Sequence, residues 1–389
     1  MEKKKVLFVC YGLGIGGIEK CLVNLLNVMH NEDYEVDVLL MTSEEELKET
    51  ISNKNVHFLD SFCYVMSIED TPIEIRKHGG WSHCLGKSLS YVHFRIRVKL
   101  KHNAWKVFRN LPDRYDVAIA YSQNDYSPYY VIDKVNAGKK VLWYHNGAYE
   151  RFGKAFIRDK YYYNQFDTVV AVSTDCARML QSKFKFEERK LIVLRNLPEP
   201  ESVRRKSIEF VPDSFQSDAF HIVTVGRMTF EKGATIALEA CWKLVADGRN
   251  VCWHWVGDGN QRERIQNQIA QCGLQHYFVL EGSQTNPYPY IKNAEIYVQP
   301  SYYEAYSTTV TEAKILAKPI VTTDVGGMRD QLVDNRNGLI VPIDADAVAG
   351  AIETMMDHEK LREHFSEALK EECFHPQEIF QDYIRTVFA

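Results

Sequence analysis

Two glutamates, Glu304 and Glu312, stand in the segment that is richest in groups able to bind a polar ligand. The segment reads PSYYEAYSTTVTEA, follows the apolar run Ile296–Gln299 and leads into a predicted helix at Val310–Leu316. Carboxylates hold sugar hydroxyls by accepting hydrogen bonds, and the free N–H groups of a helix N-terminus bind phosphate oxygens. One loop could therefore hold both ends of a nucleotide sugar. A purely structural alternative stays open, because Thr309–Glu312 also spells a capping box.

A second loop, Gly226–Gly233, carries two cations, Arg227 and Lys232. It follows the predicted strand His221–Val225 and precedes a helix, at the edge of the sheet where open α/β domains bind their ligands. Two fixed cations suit a diphosphate, because negative charge accumulates on a diphosphate as it departs. The alternative is that both are surface cations and that one pairs with Glu231.

The loop after the first predicted strand is rich in glycine and reads YGLGIGGIE over Tyr11–Glu19. Glycines let a ligand approach the backbone closely, and the helix that follows offers its N–H groups to a phosphate. Gly12, Gly14 and Gly17 match the GxGxxG dinucleotide pattern, with Glu44 as the ribose ligand. An NAD-dependent oxidoreductase therefore stays open, and so does a tight turn that binds nothing.

Short apolar, β-rich runs alternate with helical stretches along the whole chain, which predicts parallel sheets covered on both faces. The 389 residues suffice for two domains, and the proline-containing stretch Asn196–Ser217 is the predicted break between them. The predicted strands of the first half are Lys5–Tyr11, Glu35–Met41, Val117–Tyr121, Lys140–Tyr144, Thr168–Val172 and Leu191–Leu194. Those of the second half are His221–Val225, Cys252–Val256, Tyr277–Leu280, Ile296–Gln299, Pro319–Thr323 and Gly338–Val341.

Charge and cysteine usage narrow the class of protein. The net charge of −5 divides into +4 over residues 1–200 and −9 over residues 201–389, which suggests different partners for the two halves. The nine cysteines are odd in number and contain no CxxC pair, which argues against a disulfide framework and a cysteine-rich zinc site. No apolar run is long enough to span a membrane or to form a signal-peptide core, so we expect a cytoplasmic protein.

Residues 75–112 form a segment without Asp or Glu in which basic and aromatic residues are interleaved. We expect this basic segment to contact anionic lipid at the inner face of the cell membrane, with a solvated helical face as the alternative. The chain is acidic overall and shows no nucleic-acid motif, so we expect no nucleic-acid partner. The residues are Arg76, Lys77, Lys87, Arg95, Arg97, Lys99, Lys101, Lys106 and Arg109, with Tyr91, Phe94, Trp105 and Phe108 between them.

Taken in order, these segments resemble the motifs of retaining glycosyltransferases of family 4, of the bacterial surface or capsular polysaccharide type. Glu304 and Glu312 match the EX7E motif of that family, and Gly226–Gly233 looks like its diphosphate-binding segment. Gly16–Glu19 looks like its N-terminal GGxE motif, and the likeness covers nearly the whole chain, most strongly residues 220–342. Two further matches are Val256–Gly259 and Val325–Gly327.

The resemblance implies an α/β protein with the GT-B fold, in which two Rossmann-like, doubly wound domains face each other across a cleft. We expect an acceptor-binding domain at residues 1–196 and a nucleotide-sugar donor-binding domain at residues 197–374. A C-terminal helix at about residues 375–389 would pack back on the first domain.

The resemblance also assigns roles to residues. Lys232 and Arg227 would bind the diphosphate, while Glu312 would hold the ribose hydroxyls. Glu304 would contact the donor sugar beside His145, which from the residues alone is only a histidine at a strand end. The implied catalytic residues are Glu304, His145, Lys232 and Arg227. The implied donor-binding residues are Gly16, Gly17, Arg227, Lys232, Gly282, Ser283, Glu304, Ser307, Thr308 and Glu312.

The implied reaction moves a hexose or N-acetylhexosamine, with retained configuration, from a nucleotide sugar to a sugar acceptor. We expect a UDP-sugar donor, no required metal or other cofactor, and a lipid-linked oligosaccharide acceptor in polysaccharide synthesis. The loop Tyr121–Tyr130 is the predicted acceptor contact. A sugar-nucleotide-binding protein without catalytic activity is the remaining alternative.

The sequence departs from the family pattern near the proposed site. The family usually has Gly or Pro after the first glutamate, often followed by Phe-Gly, where this sequence has Ala305-Tyr306-Ser307. Tyr306 would put a bulky ring where the donor sugar would lie. Asp344–Asp346 spells DxD, a metal motif of a different glycosyltransferase fold, but it precedes a predicted helix start at Ala347 and we expect it to cap that helix.

Overall fold

The computed structural model describes residues 3–29, 33–60, 65, 94–99, 103–123 and 126–389. Within these residues the strands form two parallel sheets of 7 and 6 strands, in the orders β3-β2-β1-β4-β5-β6-β7 and β10-β9-β8-β11-β12-β13. The first sheet consists of β1 Lys4–Cys10, β2 Tyr34–Leu40, β3 Val56–Phe58, β4 Arg114–Ala120, β5 Asn136–Tyr144, β6 Thr168–Ala171 and β7 Leu191–Val193. The second consists of β8 Phe220–Val225, β9 Val251–Val256, β10 Phe278–Gly282, β11 Ile296–Gln299, β12 Ile320–Thr323 and β13 Leu339–Val341.

Helices cover both faces of each sheet, as the apolar strands predict. In β1, for example, Val6 and Phe8 enter one buried cluster while Leu7 and Val9 enter the cluster on the opposite face. The helices are α1 Gly17–Val28, α2 Ser127–Lys134, α3 Lys154–Tyr163, α4 Thr174–Phe184, α5 Pro200–Lys206, α6 Ala234–Ala246, α7 Arg262–Gln271, α8 Tyr288–Asn293, α9 Thr308–Ile315, α10 Ala345–Asp357, α11 Glu359–Lys370 and α12 Pro376–Tyr383. Residues 94–99 are helical as well.

Every predicted strand is present, with ends that differ by a few residues, and β3 is an addition. This strand has only three residues, too few to show a period in the sequence. The predicted break also contains α5, which follows Glu199 and starts at Pro200, a residue whose fixed φ suits a first helical turn.

The C-terminal residues lie against the first sheet rather than the second. Phe380, Tyr383 and Phe388 are buried in the same cluster as Val6 and Phe8. The Nζ of Lys4, in β1, also donates a hydrogen bond of 2.6 Å to the carbonyl oxygen of Phe388. The domain limits themselves, 1–196 and 197–374, stay a prediction.

Candidate active site

The candidate site lies where the strand order of each sheet reverses, which is the usual ligand position in doubly wound sheets. In the second sheet β8 neighbours both β9 and β11, so the loops after β8 and β11 leave the sheet side by side. In the first sheet β1 neighbours both β2 and β4 in the same way. The four loops that follow β1, β4, β8 and β11 therefore meet at one cleft.

The two loops of the second sheet are in direct contact. Gly233 has a φ of +72°, and a Cβ at this position would lie 1.8 Å from the carbonyl oxygen of Pro300. A second link is a hydrogen bond of 2.9 Å from the N–H of Tyr302 to the carbonyl oxygen of Glu231. Only glycine permits both this backbone conformation and this close approach, so Gly233 fixes one loop against the other.

The Lys232 ammonium and the Glu304 carboxylate form an ion pair at the centre of the cleft, with 2.6 Å between Nζ and Oε1. The same carboxylate oxygen accepts hydrogen bonds of 2.9 Å from Ser301 Oγ and 3.3 Å from Gln299 Nε2. Glu304 is 8% exposed, so these donors hold a nearly buried carboxylate in one orientation. The structure thus brings together two of the residues that the sequence assigns to the diphosphate and to the donor sugar.

The first domain closes onto this pair through Gly147, which follows β5. A Cβ on Gly147 would lie 2.5 Å from the carbonyl oxygen of Glu304. Beyond Glu304, Ala305 is buried in a cluster with residues of the first sheet. The loop that carries Glu304 is therefore held from both domains.

A cavity of about 710 Å³ opens between the domains around this loop. Nine of the eleven predicted site residues line it. These nine are Gly16, Gly17, His145, Arg227, Lys232, Ser283, Glu304, Ser307 and Thr308.

Glu312 and Gly282 are the two predicted residues that do not line this cavity. Glu312 lies behind its wall, where Oε1 accepts hydrogen bonds of 3.3 Å from Lys20 Nζ and 3.2 Å from the Tyr288 hydroxyl. Its second oxygen, Oε2, is buried and has no hydrogen-bond partner within the described part of the chain. In this conformation Lys20 of the first domain therefore binds the Glu312 carboxylate.

The capping-box interpretation of Glu312 is wrong. The N-cap of α9 is Ser307, whose side chain accepts a hydrogen bond from the N–H of Val310. The helix begins at Thr308, earlier than the predicted Val310, so Glu312 lies inside the helix rather than in its capping turn.

Arg227 is the most accessible charged group of the predicted set, with 70% of its side chain exposed. Its Nη2 lies 3.9 Å from Glu231 Oε1, a long ion pair at the surface that contributes little energy. Arg227 also borders a second cavity on the side of the first domain. The guanidinium is therefore free to turn towards an anion in the cleft.

His145 is buried and is held in its neutral form. Burial lowers its pKa to about 3, and a hydrogen bond to the backbone of Tyr121 offsets only part of that effect. Its Nε2 has no partner among the described residues. The single N–H of the neutral ring donates to the backbone of Tyr121, so Nε2 can accept a hydrogen bond from a sugar hydroxyl but cannot donate one.

Gln123, which sequence reasoning did not single out, lines both cavities and is 2% exposed. Its Oε1 accepts a hydrogen bond of 3.2 Å from the N–H of His145, which fixes the orientation of the amide. The amide nitrogen Nε2 has no partner among the described residues. Its position just after β4, inside the predicted acceptor loop Tyr121–Tyr130, is the signal that could have identified it. Residues 124 and 125 of that loop lie outside the described residues.

Acidic side chains lie against the glycine loop, so the loop does not form an open binding site for a phosphate. A Cβ on Gly16 would lie 2.1 Å from Glu19 Oε2, so this carboxylate covers the N-terminus of α1. Burial raises the pKa of Glu19, while Arg227 acts in the opposite direction. Gly17 faces the other domain, since a Cβ there would lie 3.2 Å from Thr308 Oγ1.

Tyr306 lines the cavity and packs against the apolar cluster of the first sheet. Burial raises the pKa of its hydroxyl. The ring thus belongs to the contact between the domains as well as to the cavity wall.

The basic segment is described only in part, and Arg76, Lys77, Lys87, Tyr91 and Lys101 lie outside the described residues. Three of its aromatic residues, Phe94, Trp105 and Phe108, are buried in the first domain. These rings are unavailable to a membrane, so any lipid contact of the described part must come from exposed side chains such as Arg95 and Lys99. Among the described residues, no helix combines the length and the apolar character that crossing a bilayer requires.

Two groups of residues have side chains of the kind that bind metal ions, and both make hydrogen bonds within the protein. Asp344 caps α10 by accepting a hydrogen bond of 2.9 Å from the N–H of Ala347, which confirms the capping prediction. In the described part of the chain, the potential metal ligands that cluster together are His221, Cys252 and His254, and none of them lines either cavity. The two histidine rings are hydrogen-bonded to each other at 2.9 Å.

Comparison with known proteins decides the family. Residues 15–200 match the family described as "Glycosyltransferase Family 4", and residues 206–372 match "Glycosyl transferases group 1". The chain belongs to glycosyltransferase family 4. This family-4 chain is therefore a transferase, and the family resemblance of its motifs is confirmed.

Individual relatives of the family-4 chain are distant. The N-acetylgalactosamine-N,N'-diacetylbacillosaminyl-diphospho-undecaprenol 4-alpha-N-acetylgalactosaminyltransferase of Campylobacter jejuni is 23% identical over 373 residues, 94% of each chain. An uncharacterized glycosyltransferase of Methanocaldococcus jannaschii is 25% identical over 198 residues, so the chain spans about half (49%) of that relative. The crystal structure of Anabaena Alr3699/HepE in complex with UDP and glucose has a TM-score of 0.73 at 16% identity, over 99% of this chain and 100% of that one. Such structural likenesses confirm the predicted GT-B fold.

Proposed function

We propose that this protein transfers a hexose or N-acetylhexosamine from a UDP-sugar to a sugar acceptor, with retention of the anomeric configuration. The observation that carries the proposal is the Lys232–Glu304 ion pair, held at 2.6 Å in a cavity between the domains. A lysine can bind a phosphate while the adjacent carboxylate accepts hydrogen bonds from sugar hydroxyls. This pair thus suits a ligand that carries phosphate and sugar side by side.

The diphosphate would lie between Lys232, Arg227 and the N-terminus of α9. The N–H groups at the start of that helix add a partial positive charge, and Thr308 lies opposite Gly17 of the first domain. As the glycosidic bond breaks, these groups stabilise the growing negative charge on the departing diphosphate. Each well-placed donor of this kind contributes roughly 3 kcal/mol to the transition state.

Retention would follow from attack on the face that the diphosphate leaves. Glu304 would hold the donor sugar, and His145 Nε2 would accept a hydrogen bond from one of its hydroxyls. The departing phosphate would take the proton of the acceptor hydroxyl as the new bond forms. This mechanism does not use the pair of carboxylates that flanks the bond in a glycoside hydrolase.

We propose UDP as the nucleotide of the donor, with Ser283 on the wall that would face the base. Support comes from the crystal structure of Anabaena Alr3699/HepE, which is a complex with UDP and glucose. Glu312 would hold the ribose once Lys20 moves away from it. No metal is required in this proposal, since Arg227 and Lys232 supply the positive charge, so transfer should persist in the presence of EDTA.

The acceptor would be a lipid-linked oligosaccharide of a surface polysaccharide pathway, bound from the first domain. The C. jejuni relative is named for a glycan on diphospho-undecaprenol, which supports this acceptor class. The basic segment would hold the enzyme at the membrane. Vesicles that contain anionic lipid should bind the wild type and lose most of that binding when Arg95, Arg97, Lys99 and Lys101 are replaced by Gln; unchanged binding would contradict this role.

A thermal-shift panel of UDP-, GDP- and ADP-sugars tests the donor proposal. A ligand that binds the folded state raises Tm, by an amount that grows with its concentration relative to Kd. We expect a UDP-sugar to give the largest shift, and NADH to give none. Stabilisation by NADH alone would favour an oxidoreductase at the Gly12–Gly17 loop instead.

A further inference from the structure

Two histidines and a cysteine lie together on one face of the second sheet, away from the candidate active site. His221 is in β8, and Cys252 and His254 are alternate residues of β9, so the side chains of these two leave the strand on the same side. The strands pair with His221 opposite Cys252, and one potential ligand atom from each of the three residues lies within 4.8 Å of the others. All three are buried and lie outside the described lining of both cavities.

The outer nitrogen of each imidazole is already hydrogen-bonded to an acceptor. His221 Nε2 lies 3.0 Å from the carbonyl oxygen of Ser217, and His254 Nδ1 lies 2.8 Å from Glu281 Oε1. The same Glu281 oxygen accepts a hydrogen bond of 2.6 Å from the Ser214 hydroxyl. Because a backbone carbonyl and a carboxylate only accept hydrogen bonds, both outer nitrogens carry a proton.

The inner nitrogens, His221 Nδ1 and His254 Nε2, therefore face each other with their lone pairs at a distance of 2.9 Å. A neutral imidazole has one proton, and both rings use theirs on the outer side. A positive charge must then lie between the inner nitrogens, either as a third proton or as a metal ion. The sulfur of Cys252 beside them offers a metal ion a third ligand, whereas a proton would use the two nitrogens alone.

The outer contacts are those that metal-binding histidines make in proteins. A histidine ligand usually donates its outer N–H to a carboxylate or to a backbone carbonyl, which fixes the ring and its tautomer. Glu281 lies at an irregularity of β10, where the register with β9 shifts between Leu280 and Gly282. A set of two imidazole nitrogens and one thiolate favours Zn²⁺ over Mg²⁺ or Ca²⁺.

The cover of this cluster comes from the stretch that leads into the second domain. The ring of Phe215 stacks on both imidazoles, with centroid distances of 4.7 Å and 4.0 Å. Phe215 belongs to the predicted break Asn196–Ser217, and so do Ser214 and Ser217, which make the outer contacts described above. A metal ion bound under Phe215 would therefore fix this stretch to the sheet.

We propose that His221 Nδ1, His254 Nε2 and the Cys252 thiolate bind one structural Zn²⁺, with water as the fourth ligand. Binding releases the thiol proton and the third proton, and the thiolate and Glu281 balance the charge of the ion. Zn–N and Zn–S bonds of about 2.0–2.3 Å put tetrahedral ligands roughly 3.3–3.6 Å apart, so the ligand atoms need to move by roughly 1 Å. A site with a single cysteine has no CxxC pair that would reveal it in the sequence.

Cobalt substitution of the full-length protein tests the site, because Co²⁺ replaces Zn²⁺ and a thiolate ligand gives it a charge-transfer band in the near ultraviolet. Protein treated with a chelator and then given one equivalent of Co²⁺ should show this band, and one equivalent of Zn²⁺ should abolish it. C252S should lack the band, while C272S, which removes an exposed cysteine of the same domain, should keep it. Folded wild type without the band, or a band that persists in C252S, would overturn the site.

The outer contact of His254 provides a second readout that leaves the cysteine in place. E281Q should weaken Zn²⁺ binding about tenfold or more, because the amide accepts the His254 N–H less strongly than the carboxylate does. Zn²⁺ should raise the Tm of the wild type and of C272S, and Mg²⁺ should leave it unchanged. An unchanged Tm with Zn²⁺ would mean that a third proton joins the two rings and that the metal site is wrong. Since the cluster lies outside both cavities, none of these outcomes bears on donor binding.

Discussion

Lys20 and Glu312 form an ion pair between the two domains, with 3.3 Å between Nζ and Oε1. Lys20 lies on α1 of the first domain, and Glu312 lies on α9 of the second. In this ion pair Lys20 binds the same carboxylate that would hold the ribose in the proposed mechanism. Donor binding and this contact between the domains are therefore in competition.

Replacing Lys20 with Met should lower the KM for the UDP-sugar severalfold, because Glu312 is then free for the ribose. The same change should lower the free energy of unfolding by about 1–2 kcal/mol, since a nearly buried carboxylate loses its charged partner. Steady-state kinetics and urea denaturation measure the two effects. K20R keeps the charge and serves as the control; a higher KM in K20M would show that Lys20 assists donor binding.

Lys232→Ala should lower kcat/KM for transfer at least about 100-fold, because the departing diphosphate loses a fixed cation. Glu304→Gln should lower kcat/KM by a comparable factor, because the carboxylate that would hold the donor sugar is lost. Circular dichroism should show the wild-type fold in both variants. Lys243, a surface lysine on α6 outside both cavities, provides the control, and K243A should transfer at the wild-type rate.

Gly147→Ala tests whether the domains must meet at Glu304. The added Cβ would lie 2.5 Å from the carbonyl oxygen of Glu304, so the loop must shift. A displacement of about 1 Å near reacting groups lowers the rate roughly 100-fold, and we expect a loss of that size in kcat. Gly350→Ala in α10 is the control, since nothing lies within 4 Å of its new Cβ. Normal kcat in G147A would contradict the close contact.

His145 should make stability depend on pH in a defined direction. Its pKa is about 3 in the folded protein, below the ordinary value of 6.5, so between these values the unfolded state binds the extra proton. The free energy of unfolding should therefore fall as pH decreases from 6.5 towards 3, by up to about 1.4 kcal/mol per pH unit from this residue. Urea denaturation from pH 7 to pH 4 should show a smaller slope for H145Q than for the wild type. Equal slopes would mean that His145 is protonated in the fold.

The sequence predicted the strands and the cleft because both follow from local patterns. Apolar β-rich runs mark buried parallel strands, and in such sheets the loops after β8 and β11 must emerge together. The lysine and glutamate motifs with Lys232 and Glu304 lie in those two loops, and the glycine motif follows β1. His145 and Ser283 were assigned through the family resemblance rather than by a local pattern. Nine of the eleven predicted site residues line one cavity.

What the sequence missed depends on how the domains dock. Nothing in the sequence of α1 shows that Lys20 reaches Glu312, since the two residues are 292 positions apart in the chain. Gln123 depends instead on the pairing of β4 with β5 within the first sheet, which brings its amide to His145 and leaves the amide nitrogen without a partner among the described residues. Tyr306 looked like an obstacle to the donor sugar, but its ring packs on a cluster of the other domain.

The most direct test of the central claim follows the reaction itself by proton NMR. The enzyme would be mixed with the UDP-sugar chosen by the thermal-shift panel and a sugar acceptor, and the anomeric proton of the first product would be observed. An α-configured donor should give an α-linked product and free UDP, with neither formed by K232A. A β-linked product, or transfer by K232A at the wild-type rate, would contradict retaining transfer at the Lys232–Glu304 pair.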